Sequence, residues 1–164
     1  MGEIRDRETV QTAMQAAETG HLVLATLHAD SVPQTLDRIR ELHPASEQAN
    51  ASTLLARSLN AIICQRLVPS TLNKRIPCLE IMRRNSATQE AIARNDLQLL
   101  TGIIEASVNE GMHSFDQHLI RLLKQESVTL DTARYYAVNW NKLDMEMHGY
   151  ASPIPGILKP DPER

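Results

Sequence analysis

Aromatic side chains are scarce, only 3% of the 164 residues, so any core must be built from Leu, Ile, Val, Ala and Met. Cysteine is nearly absent. Cys64 and Cys78 stand too far apart for a metal-ligand spacing, and read as unpaired structural thiols of a reducing compartment. No apolar run approaches the roughly 18 residues of a membrane span. The N-terminus lacks the basic-then-apolar pattern of a signal peptide. Positive charge is not in excess: the net charge is −3, which argues against a dedicated nucleic-acid binder. Two catalytic signatures are also missing. Gly-x-Ser-x-Gly, the nucleophile elbow of a hydrolase, does not occur. Nor does the phosphate-cradling Gly-x-x-x-x-Gly-Lys-Ser/Thr, since none of Lys74, Lys124, Lys142 and Lys159 follows a glycine.

The stretch at 20–31 organises what is present. Residues 22–27 are almost all apolar, with Gly20 before them and Ser31 after. A run that short predicts a strand covered on both faces. A buried parallel strand delivers ligand-binding residues at its carboxyl end, which here holds His28, Asp30 and Ser31. His21 frames the other end. A straight strand separates the two histidines by roughly 20 Å, which excludes a zinc site shared by both. A core strand with two polar ends is the plainer reading of the same run.

Around it the period is helical. Val10, Ala13, Met14 and Ala17 predict a helix over 7–19, capped by Asp6 and stopped by Gly20. A helix capped by Asp30 or Ser31 runs to about Leu42, with Pro33 in its first turn. A longer helix is predicted from about 46 to 64. Two short strands follow at 65–69 and 75–83, read as an antiparallel pair in which Pro77 suits an edge. From Ser86 the pattern is helical again, in three stripes that suggest a small bundle beside the sheet. The tail from Ala151 holds four prolines and reads as extended or disordered.

Several motifs occur in a telling order: Gly2-Glu3-Ile4-Arg5-Asp6, Gly20-His21-Leu22-Val23, Thr26-Leu27-His28, Thr35-Leu36-Asp37-Arg38, Gln65-Arg66-Leu67-Val68, Glu80-Ile81-Met82 and Gly111-Met112-His113-Ser114-Phe115-Asp116. Over residues 2–125 the sequence resembles the C-terminal half of the type II/IV secretion and type IV pilus ATPases. These are hexameric P-loop motors that include the pilus retraction ATPases. The resemblance implies an α/β fold: a truncated parallel-sheet RecA-like ATPase core over 1–83, a C-terminal helical region over 84–148, and a Pro-rich tail over 149–164. It implies that the Walker A loop and most of the nucleotide pocket lie upstream of Met1. Glu3 is then the Walker B glutamate that orients the attacking water, and His28 the second histidine of the His box, near the γ-phosphate. Arg5 and His21 take nucleotide-binding or trans-acting roles; no protein-held metal site is implied.

The implied cofactors are ATP and Mg²⁺ in a longer parent, with neither held tightly by this chain alone. The implied partners are identical subunits in a hexamer and the inner-membrane components of a secretion, conjugation or pilus system. No direct nucleic-acid contact is implied, and the setting is cytoplasmic, peripheral to the inner membrane. The chain departs from the pilus retraction motors where Ala87–Arg94 replaces their Ala-Ile-Arg-Asn-Leu-Ile-Arg helix, and in its extension past Lys124. The extension resembles the Dot/Icm and plasmid conjugation ATPases more. The alternative is a protein–protein module without catalysis that docks on the secretion machinery.

Overall fold

Asp6 starts the first helix. Its carboxylate accepts the Thr9 N–H at 2.8 Å, capping α1 (Arg7–Glu18) as the sequence predicts. Gly20, at φ +88°, ends it in a conformation that a side chain would strain. The computed structural model describes residues 2–147, so the Pro-rich tail lies outside the described residues. Ser31 caps α2 (Val32–Glu41), whose Val32, Leu36 and Ile39 are buried. Next come α3 (Gln48–Ser58), β1 (Ala61–Pro69) and β2 (Arg75–Arg83). Five helices follow: α4 (Ser86–Arg94), α5 (Leu100–Ala106), α6 (Phe115–Lys124), α7 (Leu130–Tyr136) and α8 (Trp140–Met147). Short 3₁₀ turns at Leu97–Leu99 and Val108–Glu110 flank α5.

β1 and β2 form an antiparallel hairpin in which Ile62 faces Met82, Cys64 faces Glu80, and Leu67 faces Pro77. Among the described residues the outer edge of β2 carries one further bridge, at Ile81 with His113, so Pro77, which cannot donate to a ladder, is tolerated nearer the hairpin turn. Ile62, Cys64 and Val68 of β1 join Cys78, Glu80 and Met82 of β2 on the buried face. One continuous core runs from Val10 and Met14 through this face to Phe115, Leu119 and Leu143. It is aliphatic, with Phe115 as its aromatic exception. The side chain of Asp116 accepts the N–H groups of Val138 at 2.7 Å and Asn139 at 2.9 Å, tying the α7–α8 corner to α6.

Three expectations change. The helix predicted to Cys64 stops at Ser58, and residues 61–64 belong to β1. Ile62 and Cys64 are buried while Ile63 is 63% exposed, the period of two that a strand imposes. The third stripe of the helical region is two helices, because Ala137 is extended and breaks it. The largest change concerns 22–27. Those residues are extended, but they are not a buried strand: Leu22 is 83% and Leu24 73% exposed. Covering both faces of a strand takes neighbouring strands and helices. Among the described residues only 2–4 run beside it, through one parallel bridge between Glu3 and Thr26.

Candidate functional site

That bridge assembles the site. The Ile4 N–H donates to the Thr26 carbonyl at 2.8 Å, and the Thr26 N–H to the Gly2 carbonyl at 3.2 Å. Glu3 is thereby held beside the carboxyl end of the extended stretch. Its Oε2 accepts from Arg5 Nε at 2.7 Å and Nη2 at 2.6 Å, a fork on a single oxygen. Its Oε1 lies 3.3 Å from His28 Nε2. The hydrogen bond from Arg5, reinforced by its charge and that of His28, holds the Glu3 carboxyl below its ordinary range. A carboxylate held ionised is a hydrogen-bond acceptor first and a weak proton acceptor second, which suits orienting a water.

Glu3, Arg5 and His28, read together from the sequence, do converge. His21 does not join them; its Nδ1 sits 3.1 Å from Thr19 Oγ1, beyond the end of α1.

The backbone that presents His28 is fastened at three points, none foreseen from the sequence. Arg38 of α2 donates to the His28 carbonyl. Arg66 donates to the Asp30 carbonyl at 3.1 Å while its guanidinium lies 4.0 Å from the centre of the Phe115 ring. Glu80, 95% buried by its 5% exposure, accepts the Val32 N–H at 2.7 Å through Oε2. Burial pushes the Glu80 carboxyl above its ordinary range, against the Val32 bond that lowers it. A cue was available: Arg66 and Glu80 alternate with Cys64, Cys78 and Met82, which places them on the inward face of their strands.

A cleft of about 900 Å³ opens beside this anchored loop, lined in part by Asp30, Ser31, Arg66, Glu80, Phe115 and Asp116. Its carboxylates make it a poor phosphate cradle. No cluster of three or more metal-ligating side chains occurs among the described residues. The donor set for ATP and Mg²⁺ is therefore partial. Glu3, Arg5 and His28 fit the edge of a terminal phosphate and a water, while the phosphate cradle and the metal ligands lie outside this set.

An acid, an arginine and a histidine are thus gathered where a helix-flanked extended segment ends. Residues 1–146 match the family model described as type II/IV secretion system protein, and the chain belongs to that family. It is 36% identical over 140 residues to the twitching motility protein of Neisseria gonorrhoeae, covering 85% of this chain and 37% of that one. It is 36% identical to the type IV pilus ATPase PilU of Pseudomonas aeruginosa, covering 87% of this chain and 38% of that one. Among solved structures, the pilus retraction motor PilT with bound ADP superposes at TM-score 0.77 and 35% identity, over 87% of this chain and 40% of that one. The ATPase DotB of Legionella pneumophila, at 23% identity and TM-score 0.70 over 82% of this chain and 36% of that one, shares the fold.

The chain thus spans under two fifths of the length of these curated relatives. The family match runs to residue 146, past the point near 125 where the resemblance read from the sequence ends. Among the described residues no helix is long and apolar enough to cross a membrane.

Proposed function

We propose that this chain forms the C-terminal part of a motor ATPase that drives pilus dynamics or type II/IV secretion. The observation that carries the reading is the Glu3 carboxylate, shared between Arg5 and His28 and positioned by the bridge to Thr26. When bound, ATP with Mg²⁺ supplies the phosphoryl group. Glu3 orients the attacking water through the oxygen that faces His28. Arg5 leaves Glu3 for developing negative charge on a phosphate, its own subunit's or a neighbour's, since a guanidinium prefers a phosphate fork to an exposed carboxylate. His28 donates one hydrogen bond to whichever group carries more charge and so reports nucleotide state to α2 through the anchored loop. His21 is kept only as a trans-acting group, toward a neighbouring subunit.

The same reading includes a parallel RecA-like sheet that covers Leu22 and Leu24 with strands from upstream, a helical region beginning near residue 84, and a hexameric ring at the inner-membrane machinery. The likeness to PilT and PilU supports a pilus output over conjugation.

The test is ATP turnover by two proteins. Residues 1–164 alone should show none with Mg²⁺, because backbone amides and a lysine must hold the β- and γ-phosphates. The upstream region of PilT joined in frame to residues 2–164 should show Mg²⁺-dependent turnover. Turnover by the short chain that Glu3→Gln abolishes would overturn this reading.

A further inference from the structure

The hairpin grips the backbone on both sides of Ser31. Arg66 faces Cys78 and Glu80 faces Cys64, so the two charged side chains share the inward face, two rungs apart. Arg66 Nη2 donates to the Asp30 carbonyl at 3.1 Å, and Glu80 Oε2 accepts the Val32 N–H at 2.7 Å. A cation on the carbonyl and a carboxyl on the N–H each match the backbone dipole they meet. His28 lies two residues before Asp30, and Arg38 holds its carbonyl. The loop that carries His28 is therefore placed from the hairpin.

Arg66 has a second contact, with the helical region. Its guanidinium lies 4.0 Å from the centre of the Phe115 ring, well inside stacking distance. Phe115 opens α6 directly after the Ser114 cap and is 1% exposed. The helical region is tied together at that point. Ser114 Oγ donates to Glu105 Oε1 at 3.3 Å, and Glu105 pairs with Lys142 of α8. Asp116 accepts the N–H groups of Val138 and Asn139. The 900 Å³ cleft lies where these parts meet, lined by Ser31 and Gln34 from the loop and α2, Thr101 and Phe115 from the helical region, and Arg66 and Glu80 from the hairpin. Close-packed interiors transmit small shifts but leave little room for them, whereas this junction has open space. Arg66 touches both parts across it, and its planar group moves as one piece.

We propose that Arg66 is a positioning residue through which the helical region regulates the site: it links Phe115 of α6 to the Asp30 carbonyl, and so to the place of His28 beside Glu3. A shift of α6 carries the Phe115 ring, the stacked guanidinium follows, and the Asp30 carbonyl moves with it. His28 then approaches or leaves the Glu3 oxygen that it faces at 3.3 Å. The regulated reaction rests on the hydrolysis proposed above; the link from Phe115 to His28 rests on the contacts of this chain alone. A guanidinium that merely fills the junction would stabilise the fold without coupling its two neighbours, and a double-mutant cycle separates the two cases.

The test has two arms. In the full 164-residue chain, NMR follows the nuclear Overhauser contact between the His28 ring and the Glu3 side chain. Phe115→Leu, which removes the aromatic face, should weaken that contact; Arg66→Lys should weaken it as well, and Phe115→Leu should add nothing further to Arg66→Lys. If Phe115→Leu does not fold, Arg66→Lys alone decides: a contact as strong as in the parent overturns the proposal. In the chain that joins the upstream region of PilT to residues 2–164, Arg66→Lys should lower turnover per folded molecule by on the order of threefold or more, with the KM for ATP unchanged. In a His28→Ala background the same change should cost no more turnover. Losses that multiply in the double variant, or a rise in KM with turnover intact, would make Arg66 a structural residue and overturn the proposal. If Glu3→Gln leaves turnover intact, the proposed reaction falls, and the first arm still decides the link from Phe115 to His28.

Discussion

Glu80 reaches across the buried face of the hairpin to accept the Val32 N–H at 2.7 Å, so a carboxylate inside the core fixes the first turn of α2. That turn begins four residues after His28. The orientation of the candidate catalytic histidine thus depends on a side chain distant in sequence. Replacing Glu80 by Leu leaves the Val32 N–H buried and unpaired, and should cost about 1–3 kcal/mol in urea unfolding.

The pH dependence of Glu80 has a definite sign. Its folded pKa is raised by burial, so the folded state holds its proton more tightly than the unfolded state. Its contribution is fully present below the ordinary glutamate pKa and is lost as pH rises through the raised value. Glu80→Gln keeps an oxygen for Val32 and removes the ionisation. The variant should lose that part of the decline in melting temperature above the ordinary carboxylate range. An unchanged slope would remove Glu80 as its source.

His113 works in the opposite direction. Its folded pKa is depressed to about 4 by burial, with the charges of His118 and Arg121 adding to it. Its stabilising share is complete above the ordinary histidine pKa of 6.5 and is lost as pH falls toward 4. His113→Leu should therefore flatten the melting temperature between those values. Part of the slope should remain, because burial also lowers His118.

Much of this was legible in the chain. Asp6, Gly20, Ser31 and Pro33 punctuate two helices, and caps act within one turn, so local sequence suffices to place them. The limits of β2 and the approach of His28 to Glu3 also followed from sequence and family pattern; the pairing of Arg5 with Glu3 did not. What escaped is of another kind. Ile62-Ile63-Cys64 is a short apolar run that fits helix or strand until its partner Arg83–Ile81 is known. Residues 22–27 look like an interior strand, yet burial is a property of neighbours, and the described residues supply one short one. Arg66 and Glu80 are charged residues on an inward face, where the usual prior places them in solvent.

Arg66 should tolerate no simple replacement. Its planar group stacks on Phe115 at 4.0 Å while reaching the Asp30 carbonyl. Lysine keeps the charge but not the stacking plane. Arg66→Lys should destabilise the chain by about 0.5–2 kcal/mol in urea unfolding. It should also widen the ¹⁵N linewidths of Asp30 and Ser31. Native stability with unchanged linewidths would show that the stack is incidental.

The most direct measurement compares Glu3→Gln and His28→Ala in the chain that joins the upstream region of PilT to residues 2–164, with ATP binding, turnover and thermal unfolding on one preparation. His28 is 88% exposed, so its loss leaves no cavity in the chain as described. The assignment of Glu3 as water-orienting group and His28 as phosphate sensor predicts that both variants bind ATP and melt with the parent. Glu3→Gln should lose turnover by on the order of 10²-fold or more, through loss of the group that orients water. His28→Ala should turn over more slowly, with turnover no longer tracking ring assembly. Turnover within about a factor of two of the parent for Glu3→Gln, or a large fall in melting temperature with activity per folded molecule unchanged for His28→Ala, would contradict it.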